Sequence, residues 1–255
     1  SWTEDVDRLA RAFWPGPLTI VLPKAAGVPD AVTAGGPTVG VRCPDHPVAL
    51  ALIEAAGTPV VGPSANPSGR LSPTTADHVA AAFPELLVID GGVCRAGIES
   101  TVIDLVAAPP RVLRPGVIGV NALSEALGRE VLGPASEHGG AGDAGAAPAA
   151  SPGLIGPHYQ PATPVRLVDD ASAELLRPDE ALVAWSVGEH PAGGPFLAIP
   201  RDLPGYAAAL YARLHEADRL DAFSIVVERP PEPDGPAGAA VREAVMERLG
   251  RTALR

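Results

Sequence analysis

Between residues 128 and 160 the chain changes character, and the run Gly139-Gly140-Ala141-Gly142-Asp143-Ala144-Gly145-Ala146-Ala147-Pro148 offers almost nothing to pack. Such a stretch cannot bury enough apolar surface to offset its chain entropy, which predicts a mobile linker. The chain therefore divides into a body over residues 1–128, a linker over 129–164 and a second body over 165–255. With 255 residues and 46% apolar content, each side can support a packed core.

Periodicity gives both bodies an alternating character. Val6, Leu9, Ala10 and Phe13 recur at helical spacing over residues 3–13, and Pro15-Gly16-Pro17 stops the pattern. Strands are predicted over 18–22 and 38–42, with a loop and at most a helical turn at 25–37 between them. A helix over 47–56 then feeds a strand over 59–62. A helix over 75–83, strands over 86–89, 101–105 and 111–113, and a short helix over 122–127 complete the first body. After the linker come strands at 165–167, 181–185, 196–199 and 223–227, with helices at 206–218 and 238–249. The expectation is an α/β protein: a twisted mixed sheet first, then a smaller Rossmann-like α/β domain with a mostly parallel sheet.

Composition excludes several classes. The formal net charge is −11, against a broad electrostatic footprint on nucleic acid, and no run approaches the length of a membrane span. Direct binding of nucleic acid stays open, because a local basic patch is compatible with an acidic chain. Cys43 and Cys94 stand far apart, with no CxxC and no histidine at ligand spacing, and are expected to be reduced, mostly buried thiols in a cytoplasmic protein. The remaining histidines, including His46, His78 and His215, read as caps or surface groups.

The richest local chemistry lies in Pro63-Ser64-Ala65-Asn66-Pro67-Ser68-Gly69-Arg70-Leu71-Ser72-Pro73-Thr74, directly after the predicted strand 59–62. Hydroxyls, an amide and an arginine beyond the carboxyl end of a strand suit a polar ligand, although Ser, Asn, Pro and Gly also build ordinary turns. In an extended chain Ser64 and Asn66 would project to one side. Further blocks accompany the loop: Glu99-Ser100-Thr101-Val102 before a strand, Arg114-Pro115-Gly116 after one, and Ser151-Pro152-Gly153 ahead of His158-Tyr159.

These blocks, in this order, resemble the threonylcarbamoyl-AMP synthase family in its long two-domain form. The resemblance begins at Phe13-Trp14-Pro15-Gly16-Pro17-Leu18-Thr19, continues through Val39-Gly40-Val41-Arg42-Cys43-Pro44-Asp45-His46 and Gly91-Gly92, and ends in the segment 151–161. Family members carry a further segment ahead of the Trp-Pro-Gly block, with a lysine and an arginine that handle nucleotide and bicarbonate. Lys24, the sole lysine, follows an apolar run and is no substitute for a phosphate-gripping lysine, so the chain is expected to be a partial form with little activity of its own.

The resemblance implies synthesis of threonylcarbamoyl-AMP and pyrophosphate from L-threonine, bicarbonate and ATP with Mg2+, the product passing to a transferase complex that modifies adenosine 37 of tRNAs. It implies ATP contacts from Thr38, Ser64, Asn66, Ser72 and Arg114, and threonine contacts from Arg42, Gly62 and Ser100. His158 and Tyr159 would belong to a linker that folds over the site as a lid, where Gly156 departs from the family pattern. Two alternatives remain in view: a carbamoyltransferase that forms carbamoyl-adenylate, and a non-catalytic nucleotide- or RNA-binding protein of the same fold.

Overall fold

The computed structural model describes residues 2–134 and 159–253. They group into two compact units, one of residues 2–62 with 99–134, the other of 63–98 with 159–253.

The first unit opens with helix α1 (Glu4–Phe13), capped by Thr3, whose hydroxyl accepts from the Val6 amide, and with Glu4, Asp5 and Asp7 at its positive end. Strand β1 (Leu18–Pro23) follows, then the single turn α2 (Asp30–Thr33), strand β2 (Thr38–Val41) and helix α3 (Pro47–Ala56). The expected strand at 59–62 does not form. Val60 and Val61 are exposed, and no strand among the described residues takes up this segment's backbone groups. An apolar run becomes a strand only where a neighbour completes the ladder. The unit resumes with β3 (Thr101–Asp104), β4 (Arg111–Arg114) and α5 (Val120–Leu127).

Its sheet runs β2-β1-β3-β4, antiparallel, parallel and antiparallel in turn, which is the mixed sheet expected. Val6 and Leu9 from α1, Leu18 and Ile20 from β1, Ile103 from β3 and Leu123 and Leu127 from α5 form its core. Residues expected in the linker pack with the first unit: Val131 joins that core, and the Val112 amide donates to Leu132 O at 2.9 Å.

In the second unit, α4 (Ala76–Ala82) is capped by Thr75. The expected strand 86–89 is absent: Leu87 is 93% exposed and the segment has no sheet partner among the described residues. Strands β5 (Val165–Val168), β6 (Glu180–Ala184) and β7 (Phe196–Ala198) lead to α6 (Leu203–Ala217), β8 (Ser224–Glu228) and α7 (Pro236–Thr252). All pairings in the order β5-β8-β6-β7 are parallel, and every residue of β6 and β8 is buried, as a sheet covered on both faces requires. Gly97, at φ +70°, lies so close to α6 that a Cβ would meet Ala207 O at 2.4 Å.

Both cysteines are free, but the expectation of mostly buried thiols fails at Cys94, which is exposed. It sits in a loop, tied through its amide to Thr74 O at 2.9 Å rather than packed in a core. Among the described residues no helix is long and apolar enough to cross a membrane.

Candidate active site

In the first unit the sheet itself aims the functional groups. Between β3 and β4 the register shifts at Val102/Ile103, and Val102 pairs with Arg114 at the end of β4. A bulge at this point turns the strand locally and re-aims its side chains. The Arg114 guanidinium reaches back to the entry of β3, its Nε donating to Ser100 O at 3.1 Å and its Nη2 to Ser100 Oγ at 3.2 Å. Gly116 permits the return of the chain, since a Cβ there would stand 2.4 Å from the Thr101 amide nitrogen. Behind it, Thr101 Oγ1 donates to Ile118 O at 2.8 Å and accepts from the Ile118 amide at 3.1 Å, pinning the turn after Arg114 to β3.

Ser100 is buried, and its Oγ lies 2.8 Å from Thr19 Oγ1. Thr19 was not among the expected site residues. Its signal was faint: one hydroxyl on the face of β1 opposite Leu18 and Ile20. Arg42 follows β2 directly. Desolvation first, and the like charge of Arg114 second, hold its guanidinium below the ordinary arginine pKa, although the residue as a whole is exposed. Two guanidiniums close enough to perturb one another, beside a buried serine, form a place where an anion relieves repulsion. Thr38 lies at the start of β2, paired with Pro23, and Gly62 lies in exposed chain.

The second unit holds Ser64, Asn66 and Ser72. Ala65 adopts φ +56°, so Ser64 and Asn66 do not extend side by side as expected; a left-handed alanine turns the chain between them. Non-glycine residues pay about 1–3 kcal/mol for such a conformation, and it persists where surrounding bonds enforce it. Here Asn66 Nδ2 donates to Pro67 O at 3.1 Å and to Arg70 O at 2.9 Å, closing the loop on itself. Its Oδ1 is buried with no hydrogen-bond partner among the described residues. Ser64 is exposed, and Ser72 is buried.

The loop is also braced by two histidines first read as caps or surface groups. His78 and His215 stack with ring centroids 3.8 Å apart at 24°. His215 Nε2–H donates to Ser72 O at 3.1 Å, and the Thr74 amide donates to His78 Nδ1 at 3.2 Å, which requires that nitrogen unprotonated. Desolvation, then the charges of His215 and Arg219, take His78 down to about 4 against the opposing pull of Asp77.

Of the expected lid residues, His158 and Gly156 lie outside the described residues. Tyr159 is buried, with φ +63°, its ring 5.6 Å from that of Tyr211 and the Arg248 guanidinium 5.8 Å from its centroid. Lys24 pairs with Asp30.

With this geometry in hand, the similarities to known proteins are specific. Residues 1–116 match a family model described as telomere recombination, and residues 118–253 match the model for the threonylcarbamoyl-AMP synthase C-terminal domain. The chain belongs to the threonylcarbamoyl-AMP synthase family. It is 33% identical over 275 residues to the threonylcarbamoyl-AMP synthase of Bacillus subtilis, covering 99% of this chain and 75% of that protein. It is 44% identical over 183 residues to the Pyrococcus abyssi enzyme of the same name, covering 71% of this chain and 52%, about half the length, of that relative. The crystal structure of P. abyssi Sua5 complexed with L-threonine aligns with a TM-score of 0.82 at 33% identity, over 99% of this chain and 75% of that one.

Proposed function

We propose that the protein acts as an L-threonylcarbamoyladenylate synthase, forming threonylcarbamoyl-AMP and pyrophosphate from L-threonine, bicarbonate and ATP. The observation that carries this reading is the Arg114 guanidinium held on buried Ser100, with Arg42 near enough to feel its charge. The P. abyssi Sua5 structure complexed with L-threonine, which aligns with this chain, supports L-threonine as a substrate.

In this reading Arg42 holds the threonine carboxylate, with Ser100 and the backbone at Gly62 completing the contact. Arg114 faces a phosphate, and Thr38, Ser64, Asn66 and Ser72 contribute the further nucleotide contacts that the family resemblance implies. Magnesium arrives on ATP as part of the substrate. The threonine amine and bicarbonate condense to a carbamate with loss of water. A carbamate oxygen then attacks the α-phosphorus, and the bond to pyrophosphate breaks. The protein has little covalent work in such a reaction; it aligns two anionic reactants and neutralises their charge. A cytoplasmic location, and delivery of the product to a transferase complex acting on adenosine 37 of tRNAs, belong to the same proposal.

Pyrophosphate release from ATP by the natural gene product tests this. Release that requires both threonine and bicarbonate is expected. Release supported instead by carbamoyl phosphate assigns the carbamoyltransferase chemistry, and binding of nucleotide without any release leaves only a binding protein.

A further inference from the structure

The second unit has a cavity of its own, lined by none of the residues placed in the candidate active site. It measures about 360 Å3, within the roughly 300–1,000 Å3 typical of small-molecule sites. Asp169, Trp185 and Arg229, the residues immediately after β5, β6 and β8, line it together with Arg201, Glu232 and Arg242. The carboxyl ends of parallel strands are where open α/β sheets place ligands.

The chemistry of the lining selects among ligands. Backbone donors at these strand ends are already taken: buried Glu228 accepts from the amides of Ala171, Trp185 and Ser186 at 3.3, 2.9 and 3.0 Å. Recognition is left to side chains, and three of them are arginines in a chain of net charge −11. Arg229 Nη1 donates to Asp169 at 2.7 Å and Arg242 Nη2 to Glu232 at 2.7 Å, both carboxylates being largely exposed. Arg242 Nε is buried with no hydrogen-bond partner among the described residues. Arg201 has no acidic partner among them either; its guanidinium lies 5.3 Å from the centre of the Trp185 ring. That ring is fixed by its own Nε1–H, which donates to Arg229 O at 2.8 Å.

We propose that this pocket binds a small phosphate monoester, with the phosphate held between Arg201 and Arg242 against the wall made by Trp185. A phosphate monoester carries close to two negative charges near neutrality and presents three acceptor oxygens. It answers both guanidiniums, whereas a single carboxylate leaves one unmatched. Glu232 competes with the ligand for Arg242.

The test follows the indole N–H resonance of Trp185, assigned by its loss in Trp185→Phe, while the full chain is titrated with AMP, ribose 5-phosphate and adenosine. Both phosphates are expected to shift it saturably and adenosine to leave it unmoved. Arg201→Gln with Arg242→Gln should weaken phosphate binding at least tenfold. Glu232→Gln, a change at an exposed carboxylate, should tighten it several-fold, an effect that misfolding cannot imitate. The proposal is overturned if neither phosphate gives a saturable shift, if adenosine binds as AMP does, or if Glu232→Gln leaves the affinity unchanged.

Discussion

The two sheets contain four strands each and handle burial in opposite ways. In the second unit, β6 and β8 are buried from end to end, and Glu228 ties the ends of three neighbouring segments together. In the first unit, β2 is only partly covered, α3 has no buried residue, and Leu52, Val60 and Val61 remain exposed. The contrast separates two jobs. The parallel sheet supplies rigidity, while the mixed sheet gathers polar groups at its strands, with Ser100 buried and Thr19 and Arg114 partly covered.

Cutting into the rigid sheet should produce the largest effect. Leu182→Ala in β6 removes a fully buried side chain and should cost about 2–5 kcal/mol, read as a lowered denaturation midpoint of the second unit. A smaller loss would mean that the parallel sheet is looser than its burial indicates. Next comes Arg114→Ala, which removes both bonds to Ser100 and the phosphate contact proposed for this arginine. A fall of about a hundredfold in kcat/KM for pyrophosphate release, roughly 2.7 kcal/mol, is expected with folding retained.

Acid should discriminate between the units more gently. His78 is held at about 4, below its ordinary value of 6.5, so between those values the unfolded chain binds the proton that the folded one refuses. Stability conferred by the pair is therefore complete above pH 6.5 and is lost as pH falls toward 4. The protection factors of the Ser72 and Thr74 amides, corrected for intrinsic exchange at each pH, should fall across that window, and His78→Phe should flatten the dependence. The smallest effect is expected at Leu52→Ala on α3, within about 0.5 kcal/mol by denaturant titration, because the side chain is already half in water.

The same contrast explains what the sequence revealed. The second sheet was legible because its short apolar runs are well separated from the helical patterns at 206–218 and 238–249 and each strand finds a neighbour. The runs at 59–62 and 86–89 look equally strand-like, but periodicity reports apolar character and says nothing of a partner. Arg42, Ser100 and Arg114 were legible as blocks. Thr19 was not, being one hydroxyl in an apolar strand. The left-handed turn at Ala65 also left no trace, since alanine carries none of glycine's permissiveness for positive φ. The arginine pocket of the second unit escaped notice for a topological reason: its members are scattered from 169 to 242 and meet only because parallel strands end together.

The central claim is that the paired arginines of the first unit hold an anionic substrate, and threonine binding tests it most directly. Calorimetric titration of the natural gene product with L-threonine should give saturable binding that Arg42→Gln weakens at least tenfold. Equal affinity in the two proteins would contradict the account.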